Sequence, residues 1–123
     1  MRIGLIGNQH GMAQRLTQAG AALVCHPAIT TNRLGLDRAG VSLVEDYAAF
    51  FTELEHPRLF LLDLAMGGMI DATIDEAYAF MEPGDVVIDP SGSYWGDTLR
   101  RYRRMRHRSL YYVDLALLGE PPG

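Results

Sequence analysis

The chain has 123 residues, 48% of them hydrophobic, and a formal net charge of −4. That is enough to close one core and too little for two domains of ordinary size, so residues 1–123 are expected to form a single domain with a flexible tail at 119–123. The negative balance argues against general attraction to nucleic acid. All eleven basic side chains are arginine, which excludes Schiff-base, lysine general-base and P-loop lysine chemistry within this chain.

The opening Met1-Arg-Ile-Gly-Leu-Ile-Gly7 reads as a short buried strand. Asn8-Gln9-His10-Gly11 then forms a turn, and Met12-Ala-Gln-Arg-Leu-Thr-Gln-Ala-Gly20 an amphipathic helix closed by glycine. This is how a nucleotide-binding βαβ unit begins. An intact fingerprint runs G-x-G-x-x-G, so that the backbone can approach a pyrophosphate, but Gln9 and Met12 stand where the second and third glycines belong.

Residues 21–26 form a second strand stopped by Pro27, with the single Cys25 expected as a small buried hydrophobe and His26 as a surface residue. Arg33 either reaches a 2′-phosphate or stands solvated on a helix surface. Residues 31–40 read as a short helix broken at Gly35 and ended by Gly40. Ser42 and Glu45 have capping-box spacing, which predicts a helix through Tyr47, Phe50, Phe51 and Leu54.

Residues 58–64 are a nearly continuous apolar strand of the sort buried on both faces of a parallel sheet, interrupted at Asp63. A helix from about 69 to 81, a strand at 85–89, a loop at 90–93 and a further helix follow, the last with Trp95, Leu99, Tyr102 and Met105 inward and a solvated arginine face outward. Residues 110–118 form the last strand. The alternation predicts an α/β fold: a Rossmann-like, doubly wound, mostly parallel six-stranded sheet with helices on both faces. Apolar runs such as 59–62 and 115–118 are far too short to span a membrane, so a cytoplasmic protein with no membrane partner is expected.

The chain resembles the N-terminal NAD(P)-binding domain of 6-phosphogluconate dehydrogenases and their β-hydroxyacid dehydrogenase relatives over nearly its whole length. The resemblance is carried by the two opening segments, by Ile70-Asp-Ala-Thr-Ile-Asp75, Glu82-Pro-Gly-Asp-Val-Val-Ile-Asp89, Ser93-Tyr94 and Tyr112-Val-Asp114. It implies the same fold. The family's first glycine lies eight residues before its Met-Ala-x-x-Leu element, whereas Gly7 lies five before Met12, so about a turn of the phosphate loop is missing. The family's Gly-Gly-Asn-Ser loop reads Pro90-Ser91-Gly92-Ser93 here, and its Ser-Gly-Gly element reads Leu118-Gly119-Glu120. Its catalytic lysine comes from a helical C-terminal domain with no counterpart in these residues.

Open α/β sheets bind ligands outside the carboxyl ends of their strands. The resulting crevice gathers Gly7, Asn8, Gln9, His10, Gly11, Asp63, Met66, Gly67, Ser91, Ser93 and Tyr94 as candidate site residues. A buried carboxylate is costly unless paired, so Asp63 is either satisfied by loop amides, caps the next helix, or faces His10 as an acid–base pair; Ser93 and Tyr94 complete the catalytic candidates. Ser91 and Ser93 either hold an anion or simply cap a helix. Asp89 and Asp114 suit structural roles, and no metal site is expected.

Three functions follow. The first is a stand-alone, degenerate Rossmann domain that binds a small-molecule ligand or a protein partner, with no cofactor and with NAD(P) binding weakened. The second is a cofactor-independent isomerase, lyase or cyclase using the crevice. The third is an NAD(P)-dependent oxidoreductase subunit that borrows its missing half from another chain. A homodimer or partner protein is expected to cover the apolar edge of the last strand, and the arginine run is expected to serve self-association or solvation and not nucleic acid.

Overall fold

The computed structural model describes residues 2–28, 32–64, 67–90 and 95–115. Among these, β1 (Arg2–Ile6), α1 (Met12–Gln18), β2 (Ala22–His26), β3 (Val41–Leu43), α2 (Tyr47–Thr52), β4 (Leu59–Leu62), α3 (Gly67–Ala77), β5 (Val86–Asp89), α4 (Trp95–Arg106) and β6 (Tyr111–Asp114) follow in chain order. The six strands form one sheet in the order β3-β2-β1-β4-β5-β6, and every neighbouring pair is parallel. The chain therefore has the doubly wound α/β architecture. No described helix is long and apolar enough to cross a membrane.

Strand alternation divides the core between the two faces of the sheet. Ile6, Val24, Phe60, Leu62, Val87 and Tyr112 point to the side where Phe50 and Phe51 of α2, Ile70 and Ile74 of α3 and Met105 of α4 pack. Leu5, Leu23, Cys25 and Leu61 point to the other side, under Ala13 of α1 and Leu36. Burying each large side chain of this kind contributes about 1.5–3 kcal/mol. Cys25 is fully buried, and that burial pushes its thiol up to about 12, as befits an inert core residue.

Four expectations are corrected. Residues 34–40 make turns and no helix. Gly35 has φ +83°, and a Cβ there would stand 2.6 Å from the Gln14 amide nitrogen, so the segment lies directly against α1 in a conformation closed to a helix. Ser42 caps nothing: it sits in β3, which the sequence left unplaced, and its hydroxyl donates to Glu53. The cap of α2 is Asp46, whose carboxylate accepts the Ala48 and Ala49 amides. His26 is buried, its ring stacked on Tyr47 with centroids 3.8 Å apart.

The fourth concerns α4, which is rotated from the expected register. Thr98, Arg101 and Met105 face inward, while Leu99 and Tyr102 are 38% and 42% exposed. Ion pairs decide the rotation. Arg101, 1% exposed, donates from Nε and Nη2 to the two oxygens of Asp71 at 2.9 and 3.2 Å, and lies 3.7 Å from Asp89. Arg100 also binds Asp71, Arg104 binds Asp75, and Arg108 donates to the carbonyls of Tyr78 and Met81. The basic stripe is thus largely a clamp onto α3, with Arg103 and Arg106 left outward.

The hydrogen bonds from Arg101, with Arg100 beside it, pull the Asp71 carboxyl from its ordinary 3.8 down to about 2. Its folded value lies below its unfolded one, so the stability it contributes is complete above the unfolded value and is lost as the pH falls through about 2. Acid titration followed by circular dichroism is expected to show unfolding steepen in that window, and Asp71→Asn to flatten it.

Candidate functional site

Strand order reverses between β1 and β4, whose carboxyl ends lie side by side with Ile6 opposite Leu62. This is the switch point at which open α/β sheets leave a crevice. The turn from β1 into α1 closes over it. Gly7, at φ +79°, donates its amide to His26 O of β2, and a Cβ on it would stand 2.5 Å from the Asp63 carbonyl oxygen, so the position admits glycine alone.

Asp63 directly follows β4 and is 1% exposed. Its backbone carbonyl accepts the Gln9 amide at 3.0 Å. Its carboxylate accepts the His10 amide at 3.1 Å, the Met12 amide at 3.0 Å and the His10 ring, Nδ1 to Oδ1, at 2.7 Å. Two sequence alternatives therefore coexist: the carboxylate is satisfied by loop amides, and it also faces His10. Because a carboxylate has no proton to give, Nδ1 carries the hydrogen, which leaves Nε2 as the ring nitrogen that can accept a proton.

Asn8 is fully buried and uses both ends of its amide. Its oxygen accepts the Ala13 amide at 2.9 Å, and its nitrogen donates to the carbonyls of Asn32 and Leu34. The Gly11 amide returns to Asn8 O at 3.2 Å. Every amide from Gln9 to Ala13 thus donates to an acceptor of this chain. Asp63 and Asn8 take the α1 amides that an intact fingerprint turns toward a phosphate.

A cavity of about 240 Å³ opens beside the turn, lined by His10, Met12, Arg15, Asp63, Leu64 and Pro90 among others. The His10 side chain is part of this lining and is 62% exposed. Arg15, exposed on α1, donates from Nη2 to His10 O at 2.9 Å, which sets a guanidinium at the rim. Arg15 was not among the sequence candidates. Its only signal is a lone cation one turn into the helix that follows the loop. The space is below the roughly 300–1,000 Å³ usual for drug-sized ligands, so it suits a small molecule.

Of the other candidates, Gln9 is exposed, Gly11 is buried at the α1 N-cap with φ +71°, and Gly67 begins α3. Met66, Ser91, Ser93 and Tyr94 lie outside the described residues. Beyond β2, a second cavity of about 150 Å³ has His26, Tyr47, Thr73 and Glu76 in its wall. Burial holds the His26 ring below its ordinary 6.5, and Nδ1 accepts the Ala28 amide at 2.9 Å, so this ring is a neutral structural acceptor. Asp89 accepts the Tyr112 hydroxyl and Asp114 the Thr98 hydroxyl, both as structural ties. Among the described residues no group of three or more His, Cys, Asp or Glu is placed to hold a metal ion.

The family model for the NAD binding domain of 6-phosphogluconate dehydrogenase matches residues 2–123. The decarboxylating 6-phosphogluconate dehydrogenase of Synechococcus elongatus is 29% identical over 126 aligned residues, covering 98% of this chain and 27% of that protein. The Chlamydia pneumoniae enzyme is 32% identical over 84 residues, 68% of this chain and 17% of that protein. The chain thus spans about a quarter or less of these relatives. Among solved structures, Plasmodium falciparum 6-phosphogluconate dehydrogenase, described in its apo form and with its cofactor NADP+ or its substrate 6-phosphogluconate, superposes with a TM-score of 0.75 at 19% identity, over 91% of this chain and 26% of that one. A putative oxidoreductase of Mycobacterium avium gives 0.73 at 20% identity, over 92% and 40%. At these identities the structures speak for the fold.

Replacing Asp63 strands the donors gathered on it. Asp63→Ala is expected to lower the unfolding free energy by about 1–3 kcal/mol for each buried donor left unpaired, read as a lower urea midpoint. His10→Ala, with its ring mostly in water, is expected to cost about 1 kcal/mol.

Proposed function

Since the chain belongs to the 6-phosphogluconate dehydrogenase family, we propose that it is a degenerate form of that family's NAD(P)-binding domain, which holds a small ligand in the crevice without a dinucleotide. Hydride transfer by this polypeptide on its own forms no part of the reading.

One observation carries it: the amides that would receive a diphosphate are already engaged by Asp63 and Asn8. A dinucleotide phosphate needs open backbone N–H groups at the start of the helix and bare glycine along the turn. Here the donors are committed and Met12 lines the space. A buried carboxylate also occupies the place of the expected anion, and a second negative charge 4 Å from it is opposed by about 4 kcal/mol at an effective dielectric of 20. The residues present do not fit a diphosphate at this turn.

The ligand of such a site is small and recognised by side chains, namely His10 and the cation Arg15. A second reading, a cofactor-independent enzyme, is favoured specifically by the 2.7 Å contact between His10 and Asp63. Both suit a cytoplasmic protein.

The partner face lies along β5 and β6. Tyr111 and Val113 alternate toward the side of the sheet that carries α1, paired with Val86 and Ile88, and Leu115 follows directly after β6. Tyr111 is 63% and Leu115 40% exposed. A second copy of the chain, or a partner protein, covers this strip.

Calorimetric titration with NADP(H) and NAD(H) is expected to give no heat at submillimolar concentration; binding in that range would overturn the reading. Sedimentation at micromolar concentration is expected to give a dimer, and a monodisperse monomer would remove the self-association.

A further inference from the structure

We propose that His10, oriented by Asp63, is a general base toward a small carboxylate that also carries a ketone, with Arg15 as the counter-charge for the acid group; this rests on the crevice holding a small ligand in place of a dinucleotide. Four features converge on one opening. The first is a histidine whose Nδ1–H is fixed on a buried carboxylate at 2.7 Å, which leaves Nε2 as the acceptor. The second is an anchor that cannot swing away, because the same carboxylate also accepts the His10 and Met12 amides. The third is a guanidinium at the rim, tied to the His10 carbonyl. The fourth is an apolar wall of Met12, Leu62, Leu64 and Pro90.

The pairing assigns the class of reaction. Asp63 holds the ring in one tautomer and stabilises the imidazolium formed when Nε2 takes a proton, the division of roles that makes a His–carboxylate pair a base. The His10 side chain is largely exposed at the cavity it lines, which leaves the ring open to a small substrate. Arginine, with its planar fork of donors, selects a carboxylate. A ketone in the same molecule makes the neighbouring C–H acidic enough for imidazole to remove.

In the step itself, the C–H bond breaks, its proton bonds to Nε2, and its electron pair moves into the new C=C while the carbonyl π pair moves to oxygen as an enolate. Return of the proton to that carbon, or to the far end of the enolate system, regenerates neutral His10 and gives an exchanged or isomerised acid. No oxidant, reductant or other co-reactant is consumed.

The test uses 2-oxobutyrate in D2O, with loss of its C3 proton signal followed by NMR. Butanone, which lacks the carboxylate, is the control. The full chain is expected to accelerate exchange of 2-oxobutyrate about 10²–10⁴-fold over the same solution without protein, the range of a positioned base. His10→Ala is expected to abolish the acceleration with its circular dichroism unchanged. Asp63→Asn is expected to lower kcat at unaltered KM, the signature of a positioning residue, and Arg15→Gln to raise KM for 2-oxobutyrate and leave butanone alone. Equal exchange with wild type and His10→Ala overturns the proposal and leaves the pair as a tie within the loop. Heat on titration with NADP(H) would instead sink the reading of the preceding section, and the exchange result would stand or fall separately.

Discussion

The carboxylate of Asp63 is the constraint on which the strand-end region depends. A charge almost fully withdrawn from water costs several kcal/mol unless donors surround it, and the chain brings those donors from the loop leaving β1. The amides of His10 and Met12 and the ring of His10 converge on its two oxygens, while its own backbone carbonyl takes the Gln9 amide. One residue thus shapes the whole turn through both its main chain and its side chain. The demand for glycine at position 7 follows from the same carbonyl, since a side chain there would collide with it.

The other end of β4 is anchored in a complementary way. Arg58, 4% exposed, binds both oxygens of the fully buried Asp85 through Nε and Nη2 at 2.7–3.1 Å. Its remaining donors reach the carbonyls of Phe51, near the end of α2, and Phe80, beyond α3. Between these two ionic anchors β4 carries only apolar side chains, so its position relative to β1 and β5 is set at both ends and filled in between. Breaking one partner out of such a buried pair typically costs about 3–5 kcal/mol. The wall of the crevice therefore stands on a rigid strand, which a site relying on the direction of one imidazole nitrogen requires.

The sequence makes the scaffold legible wherever periodicity and burial agree. The continuous apolar run ending at Leu62 and the helix beginning near Gly67 are of this kind, and Asp63 stands out within that pattern because a carboxylate there needs a partner. Legibility ends where two registers compete. In α4 the set Leu99, Tyr102, Met105 is more apolar than the set Thr98, Arg101, Met105, yet the second faces inward because Arg101 finds Asp71 and Asp89. Those partners are 30 and 12 residues away, and no local window contains the information. The same holds for His26, whose burial depends on Tyr47, and for residues 34–40, which Asn8 and the backbone of α1 draw into turns. Arg15 carries little signal in the sequence because an exposed arginine on a short helix has no meaning until the His10 carbonyl is placed beside it.

On the proposed reading, the irregularities of the opening loop amount to a single change. Glycine at the second and third fingerprint positions lets an anion from solvent approach the backbone. When the anion is a side chain arriving from β4, on the protein side of the turn, that approach is no longer used. Gln9 is then free to project into water and Met12 to line the cavity, and the loop wraps around one carboxylate group. Recognition moves with the charge. Backbone amides bind phosphate whatever the side chains are, but once they are spent on Asp63 the groups that meet a ligand, among the described residues, are the imidazole of His10 and the guanidinium of Arg15. The specificity of this crevice is accordingly written in residues outside the glycine pattern that defines the fold.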